Sequence, residues 1–275
     1  MKVKQIRTVL VTVTAFLIAG VMIFPIIWLL MSSFKPSTEL FAYPLHFFPE
    51  EFTIDSYKNV IRDGFFVYVK NSLFLAVAGT LITVAISAMC GYALAIYRKE
   101  IPYTNKVFAV FLLGTLVPGE ILTIAQFTVV SEMGLYNNIW GCILPVVTTT
   151  TGIFMYRQHY MSIPHELVES ARLDGASEFK TFKDIMLPLG SSVTITLTIF
   201  SFMWRWNDYI LPLMVLSDQK NFTIQIAIKS YIGTMSVNWN SILAASILSI
   251  LPIVVIFIIL QRYITGGLAA TGVKG

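Results

Sequence analysis

Charged residues are scarce in this sequence. Only 12% of its 275 residues are Asp, Glu, Lys or Arg, whereas 56% are hydrophobic and the mean hydropathy is +0.75. Soluble globular proteins carry about 25% charged residues, so this chain lacks the polar side chains that would cover a water-facing surface of its size. The composition therefore excludes a soluble globular protein and indicates an integral membrane protein.

Cysteine and histidine are also few. Cys90 and Cys142 lie far apart in apolar stretches, which argues against a disulfide framework and favours small buried side chains. The three histidines, His46, His159 and His165, do not have the spacing of metal ligands. We expect neither a metal site nor a cofactor site in this chain.

Long apolar runs are what the sequence has instead. A hydrocarbon core about 30 Å thick needs about 20 helical residues, and six stretches qualify: about 8–31, 71–96, 107–130, 139–156, 189–206 and 242–260. The first is longer than the apolar part of a signal peptide, so we interpret it as a retained span. The sequence predicts an all-α, polytopic membrane protein with six transmembrane helices in a single domain, 1–275.

The distribution of basic residues orients these spans. With the amino terminus inside, twelve of the 19 Lys and Arg residues fall on the inner side and seven on the outer side. The positive-inside rule then places both termini in the cytoplasm. It makes the 157–188 loop and the 261–275 tail cytoplasmic, whereas the long 34–69 loop is external, with a short helical pattern at about 54–61.

The 157–188 loop begins with a helical pattern. Ser162 is placed to cap a helix, and Pro164 suits its first turn. Asp174-Gly175 then predicts the end of the helix, with the glycine in the left-handed conformation. The expected apolar face has the spacing i, i+4, i+8 and consists of Ile163, Leu167 and Ala171.

A second helix follows in the same loop. Ser177 opens it, Phe179, Phe182 and Ile185 share one side, and Pro188 stops it. Such a helix–turn–helix could lie in the lipid headgroups, bind DNA, or dock a cytoplasmic partner. The flanking membrane spans disfavour DNA.

One pattern in the loop resembles a known signature. Glu169-Ser170-Ala171 is followed after three residues by Gly175, and after nine more by Ile185, Met186 and Leu187-Pro188. This is similar to the Glu-Ala-Ala-x3-Gly-x9-Ile-x-Leu-Pro loop of ABC-transporter importer permeases. The departure is Ser170, where the family prefers alanine; both side chains are small.

The resemblance extends over nearly the whole chain and narrows to the maltose-type carbohydrate permeases. The segments 52–57, 71–72, 206–209 and 261–275 resemble that branch's outer loop, second-span entry, fifth-span exit and carboxyl-terminal tail. The tail is implied, by resemblance, to reach between ATPase subunits. The resemblance implies the type I ABC importer permease fold and a bacterial or archaeal cell membrane.

The resemblance also implies a function. The chain would be the permease subunit of an ATP-driven, binding-protein-dependent carbohydrate importer that works by alternating access. Its partners would be a homologous permease, two ATP-binding subunits and an extracytoplasmic solute-binding protein, with the 162–188 loop coupling it to the ATPase. The implied coupling-loop positions are Glu169, Ser170, Ala171, Asp174, Gly175, Ile185, Leu187 and Pro188.

We expect no catalytic residue in this chain. The glycine-rich stretch 267–272 is followed by Val273, where a phosphate-binding loop needs lysine. ATP and Mg²⁺ would therefore be bound by the partner ATPase subunits.

Only two ionisable residues, Glu120 and Arg205, fall inside the six spans. Glu120 follows Pro118-Gly119, which we expect to weaken the third span. Arg205 either reaches the outer interface or pairs with Asp208. Alternatively it lines the substrate path, because intramembrane charges face a cavity or a partner. The candidate path residues are Glu120, Gln126, Arg205, Asn207 and Asp208.

Three alternatives stay open. The solute could be glycerol 3-phosphate or an acidic sugar, because related permeases share the same signatures. An integral-membrane enzyme would need clustered His, Asp or Glu at the cytoplasmic span ends, and the sequence shows no such cluster. A stand-alone channel would leave the loop unexplained.

Overall fold

Three long helices dominate the computed structural model, which describes residues 2–233 and 236–271. They are α1 (Lys2–Ser33), α3 (Phe65–Ile96) and α14 (Trp239–Thr271), each 32 or 33 residues long. Each contains an apolar stretch long enough to cross a membrane. The last four residues of the predicted 261–275 tail, 272–275, lie outside the described residues.

The remaining apolar segments form three bent pairs of helices. The two helices of each pair are bent relative to each other by 103°, 43° and 77°. The described chain therefore has three straight candidate spans, or up to six if each pair is one span. The pairs are α4 (Thr104–Gly114) with α5 (Gly119–Glu132), Ile139–Val146 with α7 (Thr150–Met161), and Glu178–Leu189 with α11 (Ser191–Asn207).

Local sequence accounts for the sharpest bend. Pro118 lacks a backbone N–H and disfavours the helical conformation of the residue before it. The helix accordingly stops at Gly114 and resumes at Gly119. The break therefore lies where Pro118-Gly119 predicts it, and Glu120 falls in the first turn of α5.

Shorter helices complete the described chain. They are α2 (Asp55–Arg62), α6 (Ile139–Ile143), α8 (Glu166–Leu173), α9 (Glu178–Thr181), α10 (Leu187–Leu189), α12 (Ile210–Val215) and α13 (Ile224–Ser230). Helix α2 falls where the sequence of the 34–69 loop predicts a short helix. A π-helical turn, Phe182–Met186, joins α9 to α10.

Backbone contacts divide the chain into two compact units. The first comprises the described residues 2–66, 227–233 and 236–251. Within it, the hydroxyls of Ser33 and Tyr57 are 2.6 Å apart, and the Asn240 amide donates to the Lys35 carbonyl at 2.7 Å. The single-domain assignment of 1–275 stays a prediction.

The second unit comprises the described residues 67–226 and 252–271 and contains two buried apolar clusters. The first cluster joins α3, α7 and α11 to the 157–188 loop. Its buried members are Ala88, Tyr92, Ala95, Ile96, Tyr156, Tyr160, Val168, Phe182, Met186 and Leu197. The second cluster includes Cys142, which is 1% exposed and therefore the small core residue that its apolar context predicts.

Candidate coupling loop and buried arginine

The 157–188 loop starts later than the sequence predicts. Helix α7 continues to Met161, and Ser162 ends it by donating its hydroxyl to the His159 carbonyl at 2.7 Å. The prediction that Ser162 caps the next helix is therefore wrong. The reason is tertiary: Tyr156 and Tyr160 are almost completely buried, and their packing extends α7 by another turn.

Helix α8 has an inner face and an exposed face. Val168 and Ala171 pack inward, whereas Leu167 is 43% exposed, so the predicted face of Ile163, Leu167 and Ala171 is wrong at Leu167. The buried pair has the i, i+3 spacing of one helical face. Glu169 and Ser170 are exposed on the other side of α8.

The turn after α8 is a Schellman motif. The Ala176 amide donates to the Ala171 carbonyl and the Gly175 amide to the Arg172 carbonyl, both at 3.0 Å. Gly175 has φ +77°, and Asp174 is the last residue before it. The predicted helix end and left-handed glycine are confirmed.

The second loop helix begins where the sequence predicts. Ser177 accepts a hydrogen bond from the Lys180 amide at 3.3 Å, which caps α9. Phe182 is buried, but Phe179 is 69% exposed, so the predicted apolar side is wrong at Phe179. The first turn of α9 points Phe179 away from the apolar cluster that buries Phe182.

The end of this helix also differs slightly. The helix runs one residue past Pro188, to Leu189, and then bends by 77° before α11. Ile185 and Leu187 are partly buried against the cluster around Tyr160. A Cβ atom on Gly190 would lie 3.1 Å from the Tyr160 ring, so this elbow is in close contact with α7.

A polar cluster ties the loop to the end of α3. The Arg172 Nε donates to Glu178 at 2.7 Å, and the Tyr92 hydroxyl donates to the other oxygen of the same carboxylate at 3.0 Å. Arg172 also lies 3.7 Å from Glu100 and 5.5 Å from the Tyr97 ring centre. We call Tyr92, Tyr97, Glu100, Arg172 and Glu178 the loop cluster.

The loop cluster favours the ionised carboxylate. Burial raises the pKa of Glu178, but the hydrogen bonds from Arg172, Tyr97 and Tyr92 outweigh it, and the pKa lies below its usual range. The hydrogen bond to Glu178 raises the pKa of Arg172 above its usual range. Both groups are therefore charged at neutral pH.

Sequence reasoning missed the loop cluster. Arg172 and Glu178 are six residues apart across a turn, and Tyr92 lies 86 residues before Glu178. No helical or strand periodicity relates these positions. The available signal was local: an arginine just before the turn glycine and a glutamate just after it.

Arg205 lies inside the second unit. It is 7% exposed, and its guanidinium donates to the Thr83 hydroxyl at 2.7 Å, the Val146 carbonyl at 2.8 Å and the Ser201 hydroxyl at 3.2 Å. The interpretation that Arg205 reaches the outer interface is therefore wrong. The space comes from Gly79, where an added Cβ would lie 2.1 Å from the Arg205 Nε.

The other candidate path residues are dispersed. Glu120 is exposed in the first turn of α5, and Gln126 is half-buried. Asn207 donates to the Met203 carbonyl at 2.9 Å, and Asp208 follows the last residue of α11. Glu120 is not among the hydrogen-bond partners of Arg205, so the structure does not join these two charges.

Residues 2–233 and 236–271 contain no group of three or more His, Cys, Asp or Glu side chains that could hold a metal ion. The loop cluster has only two carboxylates, Glu100 and Glu178, and Arg172 lies between them. The loop cluster holds α8 and α9 together through the ion pair of Arg172 and Glu178.

The profile of one protein family matches the chain from residue 5 to residue 269. Its description is binding-protein-dependent transport system inner membrane component. The match covers both the loop and the Arg205 region.

Similar curated proteins are transport permeases. The arabinooligosaccharides transport system permease protein AraQ of Halalkalibacterium halodurans is 32% identical over 278 residues, covering 100% of this chain and 99% of that protein. The inner membrane ABC transporter permease protein YcjP of Escherichia coli K12 is 30% identical, covering 92% and 91%. The sn-glycerol-3-phosphate transport system permease protein UgpE of Brucella abortus is 29% identical, covering 93% and 94%.

A solved structure has the same fold. It is a chain of a bacterial ABC transporter involved in the import of the acidic polysaccharide alginate, with a TM-score of 0.82 over 96% of this chain and 98% of that one. The sequence identity is 20%, so the likeness shows the fold alone.

Proposed function

Because this chain belongs to the family of binding-protein-dependent transport system inner membrane components, we propose that it forms half of a carbohydrate path through the membrane. A homologous permease would supply the other half. The chain is a multi-pass inner membrane transport permease with the ABC importer permease fold, and its described residues contain up to six candidate spans, the number that the sequence predicts. We further propose that the solute is a carbohydrate, that the partners are the subunits named below, and that both termini lie on the inner side of the membrane.

Two ATP-binding subunits would drive the transport. They would bind ATP and Mg²⁺ and hydrolyse the nucleotide, while a solute-binding protein delivers the sugar outside. Both termini would lie in the cytoplasm, with the 261–275 tail directed toward the ATPase subunits. ATP-driven closure would move the permease between inward-open and outward-open states.

The observation that carries the proposal is the two-sided geometry of α8. Val168 and Ala171 anchor its inner face, while Glu169 and Ser170 are exposed on the outer face. An exposed acidic residue on an anchored helix can pair with a basic groove and pass on its movement. The proposed docking and turn residues are Glu169, Ser170, Ala171, Asp174, Gly175, Ile185, Leu187 and Pro188.

Purification tests this proposal. We expect the tagged chain, expressed with its neighbouring genes, to be isolated with an ATPase. Glu169→Lys should remove the ATPase from the preparation, because it reverses the charge on the docking face. Glu132→Lys reverses an exposed charge at the end of α5 and should retain the ATPase. A wild-type chain isolated without any ATPase would contradict the proposal.

The buried arginine favours an anionic solute as a second candidate. Arg205 places a cation inside the bundle, and its Nε has no hydrogen-bond partner in the described part of the chain. Relatives include a permease for sn-glycerol 3-phosphate. The proposed path residues remain Glu120, Gln126, Arg205, Asn207 and Asp208.

Uptake separates the two solute classes. If Arg205 contacts an anionic solute, Arg205→Gln should reduce uptake of sn-glycerol 3-phosphate or an acidic oligosaccharide more than uptake of a neutral arabinose oligosaccharide. An equal loss of both, or no loss, would contradict a role for Arg205 in substrate charge recognition.

A further inference from the structure

The loop cluster joins three helices at one carboxylate. Glu178 is the first residue of α9, Arg172 lies in the last turn of α8, and Tyr92 lies in α3. The Arg172–Glu178 contact of 2.7 Å bridges the turn, and the Tyr92–Glu178 contact of 3.0 Å connects that bridge to α3. Three helices therefore meet at a single side chain.

The bridged turn is the Schellman motif at Gly175. Gly175 is in the left-handed region, and an added Cβ there would touch nothing within 4 Å. The two backbone hydrogen bonds of the turn run from Gly175 to Arg172 and from Ala176 to Ala171. Neither involves a residue of α9, which begins at Glu178, so these bonds do not by themselves fix the angle between α8 and α9. A charge-assisted hydrogen bond across the turn does restrict that angle, because these bonds are short and strong.

Burial distinguishes the members of the loop cluster. Tyr92 is 6% exposed and packs 5.3 Å from Phe182, ring centre to ring centre. The side chains of Arg172 and Glu178 are 30% and 45% exposed. A partner subunit can reach the ion pair but not Tyr92, so the Tyr92 hydroxyl acts only within this chain.

We propose that Arg172, Glu178 and Tyr92 are positioning residues that lock α8 to α3, so that α3 moves with α8 during the transport cycle. This inference rests on the proposed function, in which an ATPase moves α8. The chain connects α8 to α11 through the Glu178–Leu189 segment and its elbow. The buried apolar cluster already packs Val168 of α8 in one core with α3. The lock adds a charged, directional contact that fixes how α8 sits on α3, so that the same movement reaches α3.

Spin-label distances test the lock. Labels are attached to cysteines at His165, at the start of α8, and Lys99, just beyond α3, in a chain whose Cys90 and Cys142 are replaced by alanine. The complex is compared without nucleotide and after trapping with ATP and vanadate. The parent is this labelled chain with Arg172, Glu178 and Tyr92 unchanged. In the parent, we expect one narrow distribution of label-to-label distances that is the same in both states.

Variants separate the lock from other roles. Arg172→Gln and Glu178→Gln should broaden the distance and make it change on trapping, because α8 then moves without α3. Tyr92→Phe removes only a buried hydroxyl. It should also broaden the distance and make it change on trapping, but by less than the Arg172 and Glu178 variants. Arg172→Lys should restore part of the wild-type behaviour, and Lys183→Gln, which removes an exposed charge from the same loop, should match the parent.

Two failures can be told apart. If no ATPase is isolated with the parent chain, the proposed function fails. If the ATPase is present but the parent distance changes on trapping, or Arg172→Gln behaves as the parent does, the lock is overturned and the proposed function stands. A loss of stability alone would not make the distance depend on nucleotide.

Discussion

Arg205 shows how a charge is accommodated inside an apolar bundle. Its three hydrogen bonds reach α3 through Thr83, its own helix through Ser201, and the end of the Ile139–Val146 helix through the Val146 carbonyl. The Val146 carbonyl is at the carboxyl end of this helix, where the chain bends by 43° before α7. A carbonyl at a helix end has no amide partner within its own helix, and Arg205 provides one instead. A cation at a helix carboxyl end is also favoured by the helix dipole.

We expect Arg205→Gln to destabilise the protein. Glutamine is too short to reach all three oxygens, and leaving a buried acceptor unpaired costs about 1–3 kcal/mol. Thermal unfolding of the purified chain in detergent measures this. Arg62→Gln is the matched control, since Arg62 is exposed and its side chain donates to Asn59, one turn away on the same helix; its effect should stay within about 0.5 kcal/mol. Equal stability of the Arg205 variant and the control would contradict the structural role.

At the residue scale, the sequence identified Arg205 as unusual but not where its side chain goes. Arginine flanked by tryptophan is common at membrane interfaces. Trp204 and Trp206 on either side of Arg205 therefore favour an interfacial position for its side chain. The deciding feature is Gly79, which lies 126 positions earlier and leaves room for the guanidinium. Periodicity along one helix carries no information about a cavity formed by another.

The elements of the loop differ in how well local signals define them. Ser177 and Gly175 act through the backbone within a few residues, so their cap and turn follow from the sequence alone. The start of α8 does not, because packing of Tyr160 extends the preceding helix and occupies Ser162. The face of α8 likewise depends on which side meets the cluster around Tyr92.

The turn between the loop helices gives a prediction at this scale. Gly175→Ala should destabilise the protein by about 1–2 kcal/mol, because alanine is strained in the left-handed region. Gly175→Asn should cost less, since asparagine tolerates that region. Thermal unfolding measures both variants, and co-purification measures ATPase binding.

Gly134 provides the control for this prediction. It also has a positive φ, +68°, and no atom within 4 Å of an added Cβ, but it lies outside the loop. Gly134→Ala should lose a similar amount of stability and keep the ATPase, whereas Gly175→Ala should lose both. If both alanine variants keep the ATPase equally, the turn geometry is not needed for docking.

For the whole molecule, composition and the lengths of the apolar runs were enough to predict a helical membrane protein. The scarcity of charge and the six apolar runs agree with three straight helices and three bent pairs. The angles of the bends were not predictable, because a proline or glycine marks a break without setting its direction. Orientation in the membrane rests on the distribution of basic residues.

Labelling tests that orientation. Lys180 and Lys220 are exposed and belong to the loops that we assign to the inner and outer sides. In the chain without Cys90 and Cys142, a membrane-impermeant maleimide should label Lys220→Cys in intact spheroplasts and Lys180→Cys only in inverted vesicles. The opposite pattern would reverse the topology and place the loop outside, away from any cytoplasmic ATPase.

The contact between Glu178 and Tyr92 limits how the loop can be exchanged between permeases. A chimaera that receives only a foreign 157–188 segment keeps the host's residue at position 92, and that residue must still offer a hydroxyl to the carboxylate. The five residues between Arg172 and Glu178 must also keep their number, since an insertion would separate the pair. The transplantable module is therefore discontinuous in sequence, with one short piece in α3 and one in the loop.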